Sequence, residues 1–502
     1  SGQAPSSMDG AIILYGDSRG AVGTEPGRDG NRSAEVVRLV DEHFGTYLER
    51  IRELCRMPSV SGTGQGIRQV ADRVAAMIEE TGGSAELVET PGHPVVLGEL
   101  TGPAGAPRLV KYGMYDVQPA EEPDWSSPPF AAEVRELPGV GQAVVGRGVA
   151  NSKGSLVAFF CALEALHDTG GIPIGIAFMI EGEEELGSPN LPEVVRRRRD
   201  DLAGNAGVDL DLYGEPGGES ADLAMGCKGL LSFELVCEGG DWGGPRKPLH
   251  SSEMAWIHSP VWPLVRALDS LVGPDQEPAV PALLQAARGP TEEDRLLLKE
   301  LAEGFDREAH LAEARASRFR IEGSTPDLLE ALIFRPTVNV DGLEAGYTGP
   351  GGKTIIPSRA RAVLDVRLVP DLEPEGAAAA IREHLDRHGL EQVELRMLDS
   401  YPWGKADPTS AVARAMRASY EAVGVRVLPF PMAPWCAPFY VFDRLLGIPW
   451  VTGGVGHSGG AHAPDEFASV DGLRRHIVAA AEFVLAFAEI AAASERPEAV
   501  RA

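Results

Sequence analysis

Residues 110–119 read VKYGMYDVQP, a short apolar run that passes into a loop of polar residues. Apolar character on both alternating sets of positions marks a strand covered on two faces, as parallel sheets require. Working outward, HPVVLGEL (93–100), APRLVKYG (106–113) and IPIGIAFMI (172–180) are further short apolar runs. Between the last two lies KGSLVAFFCALEALHDTGG (153–171), whose pattern is helical and which closes on glycines. Strands alternating with helices predict an α/β layer fold with a mixed, largely parallel sheet flanked by helices. In such sheets ligands gather beyond the carboxyl ends of the strands, where Met114, Glu184 and Glu185 fall.

Upstream, SAEVVRLVDEHFGTYLERIRELCRM (33–57) and GIRQVADRVAAMIEETGG (66–83) carry apolar residues at helical spacing. Residues 1–34 are rich in Gly, Ser and charge and are expected to form a poorly ordered leader; SGQAPSS at its start has the look of a cloning remnant. Downstream the texture changes. GLLSFELVCEGG (229–240), RAVLDVRLVPD (361–371) and EQVELRMLDS (391–400) alternate like half-exposed strands, with the helix PEGAAAAIREHLDRHG (374–389) among them. This predicts an inserted α+β domain over 229–399, within a first domain made of 35–228 and 400–495. The apolar segment IVAAAEFVLAFAEIAAA (477–493) is interrupted by Glu482 and Glu489 and is expected to be a buried helix, not a membrane span.

A chain of 502 residues exceeds what one compact core serves. Its net charge of −28 argues against nucleic-acid backbones and anionic membranes as partners. The five cysteines, Cys55, Cys161, Cys227, Cys237 and Cys436, are scattered without CxxC spacing, which suits reduced thiols and a cytoplasmic location. The Ala-, Arg- and Gly-rich composition suggests, by association, a GC-rich bacterial genome.

Alone, EGEEELGSPN (181–190) reads as a solvated acidic loop and His462 as a structural histidine. Taken in order, however, YGMYDVQP, GRGVANSKG (146–154), IEGEEELGSPN, YGEPGG (213–218), PLHSS (248–252), VRLVPDLEPE (366–375) and GAHAPDE (460–466) span most of the chain. This series resembles the superfamily of co-catalytic zinc peptidases and deacylases: carnosinase-type dipeptidases, aminoacylases and succinyl-diaminopimelate desuccinylase. The carnosinase-type branch is the nearest in look, and the resemblance covers about residues 36–495. It implies a zinc-peptidase-like catalytic domain with an inserted lid and dimerisation domain.

The resemblance also implies roles. Glu184 matches the general base that activates water, and Asp116 the residue that orients the site. Glu185, His462 and Glu215 match metal ligands. His250 matches a histidine that reaches across a dimer to polarise the substrate carbonyl, Arg367 an arginine that holds substrate carboxylate, and Lys353 a substrate-contacting loop. Two ligand positions depart: Met114 replaces the first histidine, and Asn151 replaces the bridging aspartate, followed by Ser152 and the retained Lys153. A thioether is a soft ligand poorly suited to zinc, and an amide oxygen cannot bridge two dications as a carboxylate does. The expected outcome is one zinc or other divalent ion on Glu185, His462 and weakly Asn151, or no metal at all. His457 and Cys436 are candidates for compensation, each weighed against a plain structural role. No histidine partner marks Cys436 or Cys161 as a nucleophile.

Three functions are therefore open. The first is hydrolysis of a small amide, dipeptide or N-acyl amino acid with Glu184 as base. The second is metal-independent acyl transfer, cyclisation or isomerisation in a specialised biosynthetic pathway. The third is a non-catalytic binding protein. A homodimer through the inserted domain is implied.

Overall fold

The computed structural model describes residues 30–121, 123–214 and 217–494. Residues 1–29 of the expected leader lie outside this range. Its last five residues form the start of helix α1 (Gly30–Cys55). Helices α2 (Ile67–Glu80) and α3 (Lys153–Asp168) follow.

In chain order the principal strands are β1 (Ser84–Val88), β2 (Val95–Leu100), β3 (Arg108–Met114), β4 (Gly175–Glu181), β5 (Ala206–Leu210), β6 (Ser220–Ala224), β7 (Gly226–Glu238), β8 (Thr337–Ala345), β9 (Arg359–Leu368), β10 (Val393–Tyr401), β11 (Arg426–Phe430) and β12 (Trp450–Gly453). Eight of them form one sheet in the order β1-β2-β4-β3-β5-β12-β6-β11. The pairs β3·β4, β3·β5, β5·β12 and β6·β11 are parallel, while β1·β2, β2·β4 and β6·β12 are antiparallel. The mixed, largely parallel α/β sheet read from the sequence is thus observed.

This sheet is covered on both faces, and the two-residue period of its strands divides the side chains between two cores. Along β4, Ile176, Phe178 and Ile180 join one core, while Ala177 and Met179 join the other. Leu109 and Val110 divide in the same way on β3. The first core is closed by α1, α2, α3, α4 (Ala411–Ala422) and α5 (Val470–Ser494). By length and composition α5 could cross a membrane, with a mean hydropathy of 1.9 in its most apolar window, but 61% of that window is buried among neighbouring elements. It packs as a core helix against α1, α3 and α4.

A second sheet runs β8-β9-β7-β10, all antiparallel. Its inward residues Leu231, Phe233, Leu235, Ala362, Leu364 and Val366 pack with buried residues of the helices Val261–Leu271 and Pro374–Arg387. Strand β7 serves both regions. Cys227 pairs with Gly404 and Ala433, whereas Gly229 to Glu238 pair with β9.

Candidate active site

Three neighbouring strands, β3, β4 and β5, deliver their carboxyl ends to one crevice. Met114 is the last residue of β3, buried and in register with Glu181 of β4. Two residues on, Asp116 is fully buried and accepts the backbone N–H groups of Glu184 (3.2 Å) and Glu185 (3.1 Å). It thereby fixes the short helical turn Glu184–Leu186 that presents both glutamates. Burial, with the charge of Glu185 added, pushes the Asp116 carboxyl up to about 6. Glu184 is raised well above the usual carboxylate range, first by desolvation and then by the charges of Glu185, Asp116 and Glu181. Glu181 is buried beneath them, accepts from Tyr112 Oη (2.7 Å) and Ser188 Oγ (2.8 Å), and is pushed up to about 8 by burial.

Opposite the glutamates stands the loop GRGVANSKG. Asn151 Nδ2 lies 2.8 Å from Glu185 Oε1 and 2.9 Å from His462 Nε2. Gln118 donates to the other oxygen of Glu185 at 2.8 Å, and His462 Nε2 is 3.2 Å from Glu185. Ser152 Oγ lies 3.0 Å from Asn151 Oδ1 and 2.6 Å from Asp211 Oδ2. Asp211, just beyond β5, is buried and pushed up to about 7 by desolvation and by Asp209.

Glu466 holds this loop in place. Its Oε1 accepts the N–H groups of Gly148, Ala150 and Asn151 at 2.9–3.0 Å, and its Oε2 pairs with Arg147 at 2.8 Å. Glu466 and Arg147 are both fully buried. The Lys153 ammonium is buried as well, donates to Met57 O at 2.6 Å, and is pushed down to about 8 by burial.

The structure therefore gathers Asp116, Glu184, Glu185, Asn151 and His462, with Met114 at the end of the same strand. Glu215 lies outside the described residues. Elsewhere, Arg367 on β9 donates to Asp365 Oδ1 (3.0 Å) and to Cys436 Sγ (2.9 Å), and that thiol reaches Gly229 O at 3.2 Å. Cys436 thus has an arginine as its partner, not a histidine. His250 is exposed, with its ring nitrogens on Ser252 Oγ (2.9 Å) and Thr354 Oγ1 (3.1 Å). Lys353 Nζ sits 4.5 Å above the Tyr347 ring. His457 packs edge-on against Phe467 with ring centroids 5.4 Å apart, and so turns to an aromatic neighbour and not to the glutamates.

Three residues of the crevice escape the sequence reading. Asp211 and Asp209 stand two apart at the end of an apolar run, a spacing that puts both on one face of a strand. Glu466 lies within GAHAPDE itself, but nothing local marks its partners, more than 300 positions away.

The donor set does not fit a pair of divalent ions. A thioether and a primary amide stand at Met114 and Asn151, where paired dications need imidazole and bridging carboxylate, and the neutral hydroxyl of Ser152 follows. Among the described residues no three His, Cys, Asp or Glu side chains converge as a metal cage.

Known proteins place this geometry. An M20 family metallo-carboxypeptidase from Sulfolobus solfataricus superposes with a TM-score of 0.80 at 31% identity, over 88% of this chain and 99% of that one. The Cys-Gly metallodipeptidase of Schizosaccharomyces pombe is 26% identical over 374 residues, 70% of this chain and 75% of that protein. The Beta-Ala-His dipeptidase of Rattus norvegicus is 28% identical over 349 residues, 67% of this chain and 68% of that protein. The sequence profile of peptidase family M20/M25/M40 matches residues 112–486, which include every crevice residue from Met114 to Glu466. With fold, motif order and profile in agreement, the chain belongs to the M20/M25/M40 peptidase family and is an enzyme of peptidase type.

Proposed function

We propose that this enzyme acts on the amide bond of a small substrate, a dipeptide or N-acyl amino acid, with Glu184 moving the proton and at most one divalent ion in the crevice. The observation that carries the reading is the placement of Glu184. Asp116 fixes its backbone, and desolvation and like charges hold its proton affinity far above that of a free carboxylate. Such a group can take a proton from the attacking nucleophile and return it to the leaving amine. Arg367 would hold the carboxylate end of the substrate. The dipeptidases among the relatives support this substrate class.

We also propose a homodimer in which His250, exposed and paired with Thr354, completes the partner's site. Glu184→Gln keeps the shape and removes the base. It should lower kcat/KM on a dipeptide and N-acyl amino acid panel by about 10²–10⁴-fold with the melting temperature unchanged. Unaltered turnover would remove Glu184 from the proton transfer.

A second reading, acyl transfer, cyclisation or isomerisation without metal, is favoured by the amide at 151 and the hydroxyl at 152. It expects turnover of an amide donor to rise with added amine acceptor and not with water alone. Product analysis by mass spectrometry separates the two readings.

A further inference from the structure

We propose that the Asn151 amide and the Ser152 hydroxyl stand in for the family's two cations, so that this crevice is held together by hydrogen bonds and takes no resident metal. A carboxylate only accepts hydrogen bonds, so the Asn151 atom 2.8 Å from Glu185 Oε1 is its nitrogen. The same NH₂ group has a second hydrogen, and His462 Nε2, 2.9 Å from it and 3.2 Å from Glu185 Oε1, receives it in the tautomer whose ring proton is on Nδ1. One primary amide thus satisfies the carboxylate oxygen and the imidazole lone pair that would otherwise face an ion.

The remaining donors and acceptors close the arrangement. Gln118 donates to the other Glu185 oxygen at 2.8 Å. Ser152 Oγ donates its one hydrogen to Asp211 Oδ2 at 2.6 Å and lies 3.0 Å from Asn151 Oδ1, so a neutral hydroxyl occupies the space between the two side chains. The amide cannot easily withdraw, because the Asn151 backbone N–H is tied to Glu466 Oε1 at 3.0 Å. An entering dication would have to break the amide from two partners. It would then meet, beside the Glu185 carboxylate and the His462 imidazole, a neutral amide oxygen where a bridging carboxylate would stand, with the Met114 thioether in place of a nitrogen donor. Polar groups that already satisfy one another gain little from an ion they must be parted to hold.

This goes further than the proposed reaction, which allows one ion, and does not depend on the substrate. The test uses the full chain, expressed in zinc-supplemented medium and purified without chelator. Metal content by mass spectrometry should fall well below one ion per chain, and neither Zn²⁺ nor EDTA should move the melting temperature. Asn151→Asp turns the surrogate into a carboxylate facing Glu185, so its melting temperature should fall in EDTA and recover with Zn²⁺. One or more tightly held ions in the unaltered chain, or a melting temperature lowered by EDTA, overturns the proposal. So does an Asn151→Asp protein that folds yet ignores Zn²⁺. If the variant does not fold, the metal content of the unaltered chain decides alone. A metal-bearing protein whose Glu184→Gln form is inactive would overturn this inference and leave the role of Glu184 standing.

Discussion

Glu181 shows how single side chains set the pH behaviour of the crevice. It is buried, receives two hydroxyl hydrogens on one oxygen, and is pushed up to about 8 by desolvation. A carboxyl whose proton is held more tightly in the folded state stabilises the fold below its unfolded value, near 4.5, and loses that contribution as pH rises through 8. Urea midpoints measured from pH 4.5 to 9 should therefore fall with pH, and Glu181→Gln, which keeps the acceptor and removes the charge, should reduce the total loss over that range by a few kcal/mol (about 1.4 per pK unit). An identical slope in the variant would show that Glu181 is not the group responsible. At this scale the sequence was informative where chemistry concentrates in consecutive residues. Glu184 and Glu185 follow an apolar run directly, and Met114 and Asn151 stand inside recognisable motifs. No motif marks Asp211, since YGEPGG points to Glu215, and only the fold shows that Asp211 meets Ser152. The contact between Arg367 and Cys436 joins two strands 69 positions apart, a distance that no local pattern spans.

Glu466 acts on a whole loop. The segment Gly146–Asn151 has no helix or strand to hold its N–H groups, so three of them converge on one carboxylate oxygen and a buried arginine takes the other. A small four-stranded sheet supports the arrangement: Phe467–Ser469 pairs with Gly141–Val145, and so brings the His462 hairpin against the Asn151 loop. Removing one partner of a buried, hydrogen-bonded ion pair leaves the other uncompensated, so Glu466→Ala should cost about 3–5 kcal/mol in chemical denaturation. Activity should fall with it even in variants stabilised elsewhere, because Asn151 loses its backbone anchor. A loss under about 1 kcal/mol would mean that water replaces the carboxylate. The strands and helices themselves were legible from period alone, since β3, β4 and α3 are long runs of one texture. The order of the strands was not, because pairing is decided by chain segments far apart.

Across the whole molecule, the second sheet ends on β8, an edge strand with Val340 46% and Leu343 59% exposed. An uncovered apolar edge is a surface that proteins hide or pair. Together with exposed His250 and Trp256, it supports the proposed dimer. Sedimentation velocity should give twice the chain mass, and Val340→Lys with Leu343→Lys should shift the protein to monomer with a parallel loss of turnover. A fully active monomer would remove His250 from the reaction. The division into 35–228 with 400–495 and 229–399 is likewise our proposal. A change of texture in the sequence suggests it, but an inserted unit is only defined by how its strands cross-connect.

That cross-connection runs through β7. It is one unbroken thirteen-residue strand, paired at its start with Gly404 and Ala433 and along the rest with the second sheet. Such a strand joins the two regions by continuous backbone pairing and not by a loop. At the join Gly229 packs so tightly against Trp403 that a methyl group would lie 2.5 Å from the Trp403 amide nitrogen. The Gly229 carbonyl also meets the thiol that Arg367 touches. If Arg367 grips the carboxylate end of the substrate, as proposed, the ligand would bear through Cys436 on the very glycine where the two regions share one backbone.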